Sequence, residues 1–296
     1  MRRSRTVEMP SFLPVNLRRI ATGFALLAIV GLATSVQALA SPEDFQRFRG
    51  SLFGRSGVES RAKPGPVGMF ANFSLVSDIA SQSGALFEQA PFATLFADIY
   101  MDRHVDIRPF VAASCPPTQI KALNPALKYV NTCAAAAQLG RGLASGYGRN
   151  VGAAPGQYLA EVDLQVRAFR GPGRDSFLLY VYSEFSKENL VTAEVSRLHG
   201  RSPYGSRIRF IIPRGLIVPA PAVISQLSGF QISIPPSAAG GKGVFRLKHC
   251  PPDGKLRLGF RADYNSNLST NGPVKNADGF AVTSSSPLLG VTSHCR

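Results

Sequence analysis

Between Gln157 and Tyr264 apolar and polar residues alternate with a period of two, run after run, as strands with one buried face do. Tyr158, Ala160, Val162, Leu164, Val166 and Ala168 carry the apolar set of the first run, with Glu161, Asp163, Gln165 and Arg167 between them. Gly171-Pro172-Gly173 ends it. Phe177 to Phe185 is apolar on both sides, which predicts a strand buried on two faces. Lys187-Glu188-Asn189 turns into Val191, Ala193 and Val195, followed by Ile208, Phe210 and Ile212 and then by Phe230, Ile232 and Ile234. Phe245, Leu247 and His249 stand against Leu256, Leu258, Phe260, Ala262 and Tyr264 across Pro251-Pro252-Asp253-Gly254, a turn sequence, so this pair reads as a hairpin. Seven short strands at this spacing predict an all-β fold with short helical segments, an antiparallel sandwich or barrel, of which the immunoglobulin-like sandwich is the expectation.

The N-terminus reads as a targeting segment. Arg18-Arg19 precede an apolar run from Ile20 to Val36, and Ala38-Leu39-Ala40 offers a small-x-small cleavage site. Residues 1–40 are therefore expected to be a signal peptide, the uncleaved anchor being the alternative, and no integral span is expected once it is gone. Of 33 basic and 18 acidic residues it removes five Arg and one Glu, leaving 28 and 17, a net charge of +11. Such a chain attracts polyanions without choosing among them. Residues 41–68, with Arg47, Arg49, Arg55, Arg61 and Lys63 among Gly and Pro, read as a basic flexible linker. A short amphipathic helix through Phe45, Phe48, Leu52 and Phe53 is the other reading of that stretch. The folded domain is expected over 69–296, with its core meander at 157–264.

Phe70 to Val76 reads as a strand, Asp78 to Phe87 as a short helix or loop, and Thr94 to Pro109 as one long strand. On the polar side of that long strand, Asp102, His104 and Asp106 at i, i+2 and i+4 have the spacing for three metal ligands. No fourth ligand is flagged, and a charged solvent face is the preferred reading. Cys115, Cys133, Cys250 and Cys295 form an even set, as disulfides do in an oxidising compartment. Short loops favour Cys115–Cys133 and Cys250–Cys295 among the three connectivities. Pro116 to Tyr129 reads as a helical loop. Gly140, Gly142, Gly146, Gly148, Gly152 and Gly156 miss the dinucleotide-binding spacing and precede a strand, so the run reads as a flexible connector.

Motifs for chemistry are absent. There is no Gly-x-Ser-x-Gly elbow, no Cys-x-x-Cys and no phosphate-binding loop, so neither a catalytic residue, a cofactor nor a metal is expected. The loop with His199, Arg201, Ser202 and Tyr204 reads as an ordinary surface loop, though loops of this kind can carry binding. The physical feature left over is charge on the late strands. If Ile208, Phe210 and Ile212 point inward, Arg207 and Arg209 point out; on the expected hairpin Arg246, Lys248, Lys255, Arg257 and Arg261 do the same. These seven residues are the candidate anion-binding face, and a charged face that blunts a sheet edge is the plainer alternative.

Cys115-Pro116, then Cys133-Ala134 and Gln138-Leu139-Gly140-Arg141-Gly142, resemble a pattern in exported proteins of high-GC Gram-positive bacteria: a Cys-Pro, a Cys-x-x-Ala and a Gly-x-Gly ahead of a β-meander. Cys250-Pro251, Gly254-Lys255, Phe260, Tyr264 and the closing Cys295 are similar to the C-terminal part of that pattern. The resemblance implies a secreted β-rich domain with two disulfides, and it hands over no activity. The functional expectation is a non-enzymatic secreted or cell-envelope protein that binds an anionic cell-wall polymer or another polyanion through its basic sheet face. The alternative is a structural or adhesive surface protein that recognises a protein partner by its loops.

Overall fold

Strand Ala160–Arg170 shows how this sequence builds a wall with an inside and an outside. Leu164, Val166 and Ala168 are buried in the main core, while Glu161, Asp163 and Gln165, on the alternate positions, are exposed. Repeated strand after strand, that alternation gives a curled sheet around an apolar interior. The computed structural model describes residues 46–54, 64–75, 93–121, 133, 137–151, 159–182, 189–265 and 268–295. They fall within one compact unit, Ala40–Arg296.

In chain order the described strands are β1 (Gln46–Phe53), β2 (Gly65–Leu75), β3 (Thr94–Asp102), β4 (Val105–Ile107), β5 (Gln138–Asn150), β6 (Ala160–Arg170) and β7 (Ser176–Tyr182). They continue with β8 (Asn189–Arg197), β9 (Tyr204–Ile211), β10 (Val223–Ile234), β11 (Phe245–Leu247), β12 (Lys255–Tyr264), β13 (Ser284–Ser285) and β14 (Leu289–His294). Two short helices, α1 (Pro117–Lys121) and α2 (Arg214–Ile217), lie among them. All ladders are antiparallel, and they run without a break through β12, β3, β9, β8, β7, β6, β5, β10 and β2. Beyond β2 lies β1, and beyond β12 lies β14. The two ends of the path then meet: the Leu52 N–H donates to Ser293 Oγ at 2.9 Å, and the Phe48 ring stacks on Phe260 with centroids 5.5 Å apart.

The all-β antiparallel class expected from the strand pattern is what forms. Its strands follow one continuous path, where the turn spacing suggests two facing sheets. The reason is the glycine-rich run. Read from sequence as a connector, the run lies in β5 from Gly140 to Gly148, paired to β6 on one edge and to β10 on the other, and bridges what would have been two sheets; Gly152 and Gly156 lie outside the described residues. Gly140, Gly142, Gly146 and Gly148 hold register with Ala168, Val166, Val162 and Ala160 of β6, so the glycines share the inward face with Ala144. A Cβ at Gly140 or Gly142 would overlap carbonyl oxygens of β10, those of Ser233 and Gln231. The close approach is what glycine permits here.

Three further expectations change. Residues 46–53, expected within a flexible linker over 41–68, form β1, and Gly65 opens β2; Phe48 and Leu52 are buried because they alternate as a strand, not because they share a helix face. The stretch from Thr94 to Pro109 is broken by a turn at Arg103–His104 into β3 and β4. The expected hairpin does not pair with itself: β11 lies between β2 and β4, whereas β12 joins β3, β13 and β14. The signal peptide at 1–40 and the helix or loop at 78–87 lie outside the described residues.

Both expected disulfides are present, Cys115–Cys133 and Cys250–Cys295. The first staples a cover over the outside of the wall. Ile120 of α1 packs with Phe169, Leu178, Tyr180 and Tyr182, all buried. That cover explains why β7 is apolar on both faces, and fully burying Phe169 or Leu178 there contributes roughly 1.5–3 kcal/mol apiece.

Candidate functional site

The inward glycines thin the wall at one end of the barrel. At the β5 and β6 positions farthest from the covering disulfide, a cavity of about 320 Å³ is lined by Gly146, Gly148, Leu159, Val162 and Leu164. Its opposite wall is the segment that follows β9, with Ile212, Leu216, Pro219 and Ala220, and Val223 at the start of β10 borders it beside β5. Leu164, Ile212, Leu216 and Leu227 also line a second cavity of about 50 Å³ among Ala97, Val181, Phe210 and Phe260, so the first opens toward the middle of the core. The segment over the mouth is anchored. Ile217 of α2 is buried, the Val218 N–H donates to the Arg214 carbonyl at 2.7 Å, and the Ser225 hydroxyl donates to the Leu216 carbonyl.

Polar groups are few in this cavity. Thr94 is 5% exposed, and its hydroxyl has no hydrogen-bond partner among the described residues. It holds register with Tyr264 of the core, which sets it on the inward face. Tyr147 stands at the rim, where burial first and then the negative charge of Glu161 raise its phenol above the ordinary value. Ser225, bonded to the Leu216 carbonyl, and Gln226, 1% exposed and with no partner for its amide among the described residues, complete the polar lining. An apolar cleft with a small number of placed polar groups is the usual form of a small-molecule site.

The seven cations expected to form an anion-binding face are divided by the topology. Arg207, Arg209 and Arg261 lie together on the outside of β9, β3 and β12, but two buried carboxylates hold them. Arg209 donates to both oxygens of Asp98, at 2.8 and 2.7 Å, and reaches Asp263 at 3.3 Å. Arg207 lies 3.8 Å from Asp98, and Arg261 lies 3.6 Å from Asp263. The bonds to Asp98 push the Arg209 guanidinium further up its already high range, against the opposing effect of burial. Tyr100 beside them is raised by burial and then by Asp98.

Farther along, Arg257 pairs with Asp253 and comes within 4.0 Å of Asp102, while Lys255 stands opposite His294. The hydrogen bond from Arg257 holds the exposed Asp253 carboxyl below its usual range. Arg246 stands opposite Asp106 on β4, and Lys248 Nζ lies 3.6 Å from Asp106. The seven therefore do not share one patch, because β11 and β12 go to different neighbours.

Asp102, His104 and Asp106 do not converge either, and among the described residues no cluster of three His, Cys, Asp or Glu side chains has metal-site geometry. Asp102, 1% exposed, instead accepts from the backbone and ring of His104, at 2.9 and 2.7 Å, and from the Arg257 N–H at 2.9 Å. This is a carboxylate capping the turn that splits β3 from β4. Among the described residues no helix is long and apolar enough to cross a membrane.

Sequence reasoning missed Thr94, Gly146, Gly148 and Leu216. One signal was there to find: Gly140, Gly142, Ala144, Gly146 and Gly148 repeat with a period of two, as a strand face does. Comparison with protein-family models, with curated proteins and with solved structures finds no match to this chain.

Proposed function

We propose that this chain is an exported, non-enzymatic binding protein whose barrel holds a small apolar molecule. The observation that carries the reading is the cavity of about 320 Å³ walled by Leu, Val, Ile and inward glycine and continued toward the core. Its size falls at the lower end of ligand pockets, roughly 300–1,000 Å³. The ligand class that fits is a short aliphatic or terpenoid-like body carrying one hydroxyl or carbonyl, which the unpartnered Thr94 hydroxyl would meet. The exported address is supported by the two disulfides and by the leader read over residues 1–40. The basic sheet face is not the carrier of this reading, since Arg207, Arg209, Arg257 and Arg261 are held by Asp98, Asp263, Asp102 and Asp253 and the other three cations are set apart from them.

The test uses a neutral fluorescent probe, N-phenylnaphthylamine, titrated into the full chain with both disulfides formed. The expected result is saturable enhancement, displaced by medium-chain alcohols. Gly148→Leu is the decisive variant. A Cβ at Gly148 meets only the Val223 Cγ1 at 3.5 Å, so a larger side chain enters the cavity without striking backbone. Loss of probe binding with an unchanged thermal transition supports the site. Wild-type affinity in Gly148→Leu overturns it.

A further inference from the structure

At the other end of the barrel a third cavity, of about 430 Å³, opens where β3 turns into β4, where β7 begins and where β8 ends. Its chemistry is the opposite of the first. Arg103, Arg108, Arg174, Arg197 and Lys248 line it, and only Asp106 and Asp175 oppose them. Lys248 is the one member of the expected anion-binding set that reaches it. Among the described residues Lys248 is also the one of these five with a carboxylate in ion-pair range, Asp106 at 3.6 Å. Arg174 is stacked over the Phe110 ring at 4.9 Å, and Arg103 Nη2 donates to the Gly200 carbonyl at 3.5 Å. Both contacts orient a guanidinium and leave its charge unmatched.

The floor of the cavity supplies an independent observation. Ser206 is 7% exposed, and its hydroxyl has no hydrogen-bond partner among the described residues. Its register with Met101 of the core and with Arg197 places both Ser206 and Arg197 on the inward side at the barrel mouth. The Nε of Arg108 is likewise buried without a partner. Buried donors left unbonded are costly, so each points to a group that completes it. A hydroxyl donor on the floor, an orphan guanidinium N–H in the wall and an excess of positive charge around them together describe a receptor for an anion.

We propose that this cavity binds a phosphate ester. A single carboxylate would leave most of the excess charge unmatched, whereas a phosphate monoester or diphosphate brings two or more negative charges and the acceptor oxygens that an Arg fork fits. The volume leaves room beyond the phosphate for an attached sugar or glycerol unit. Both a free phosphorylated metabolite and a phosphate-bearing polymer present that same group. The site is separate from the apolar cavity: none of its lining residues is shared.

Calorimetric titration of the full oxidised chain with pyrophosphate, inorganic phosphate and acetate, across a salt series, tests the proposal. Expected are saturable binding in the order pyrophosphate, then phosphate, with acetate weakest, and a loss of affinity as salt rises. Arg197→Gln and Ser206→Ala should each weaken pyrophosphate binding, the former by about tenfold, as for one lost charge-assisted contact. Arg197 is exposed, so that variant keeps the fold, while Arg261→Gln on the outer face should bind as the wild type does. A poly(glycerol phosphate) chain separates the sources: affinity that grows with chain length assigns a polymer, and affinity equal to that of glycerol phosphate assigns a free ester. Absence of saturable pyrophosphate binding overturns the site. So does acetate binding as tightly as pyrophosphate, or an unchanged affinity in Arg197→Gln.

Discussion

Replacing Arg209 with Met measures how the outer face of β9, β3 and β12 is held. Asp98 is 1% exposed and receives two guanidinium bonds, at 2.8 and 2.7 Å. Without them the carboxylate stays buried, with Arg207 at 3.8 Å as a remaining cation. Removing one partner of a buried pair costs about 3–5 kcal/mol. The Arg209 side chain is 26% exposed and Arg207 is at hand, which sets the expectation at the low end, about 3 kcal/mol. At roughly 2–4 °C per kcal/mol for a domain of this size, the melting temperature should fall by about 6–12 °C. Asp98→Asn in the same background removes the stranded charge and should restore about half of the loss, roughly 1.5 kcal/mol. Urea unfolding of the wild type, both single variants and the double variant gives the coupling directly, provided the slopes agree. A cost below about 1 kcal/mol for Arg209→Met, the range of a surface pair, refutes the reasoning. A double variant no more stable than Arg209→Met refutes it as well.

Two further outcomes follow from the wall itself. Gly142→Ala drives a methyl into the Gln231 carbonyl and should lose roughly 2–4 kcal/mol, while Gly148→Ala, whose methyl makes only an ordinary contact with Val223, should be neutral or gain up to about 1 kcal/mol; equal urea midpoints would contradict the inward placement of this strand face. Burial, with Asp98 and Glu161 as secondary causes, raises Tyr100 and Tyr147, so the folded chain holds these protons more tightly than the unfolded one. Their contribution is therefore complete below pH of about 10 and is lost as pH rises through the folded values. Urea midpoints should fall across that range, and Tyr100→Phe with Tyr147→Phe should flatten the fall; an unaltered profile counts against it.

Strand existence was legible wherever one face met water, because alternation then survives in the sequence: β6, β8, β9 and β12 announce themselves through Val162 to Ala168, Val191 to Val195, Ile208 to Phe210 and Leu256 to Tyr264. Both disulfides were legible from loop length. What stayed hidden depended on partners. Glycine is read as a breaker because it usually is one, and only the neighbouring carbonyls of Ser233 and Gln231 show why β5 needs it. The turn Pro251-Pro252-Asp253-Gly254 announces a reversal but cannot say that β11 will pair with β2 and β4 instead of β12. The basic cavity draws Arg103, Arg108, Arg174, Arg197 and Lys248 from four separate stretches of chain, a convergence that no local pattern records.

The joint between β1 and β14 has a temporal consequence. Elsewhere on the path each strand is laced to its neighbour by a backbone ladder; here the edges touch through Leu52, Ser293 and the stacked rings, with 241 positions of sequence between donor and acceptor. Loop closure over such a distance is slow, and few backbone bonds reward it, so this seam should close last in folding and exchange its amide protons earliest. During synthesis from the N-terminus, β1 waits beside β2 with one edge bare while the rest of the wall is assembled. Until β14 arrives, the barrel has no inside.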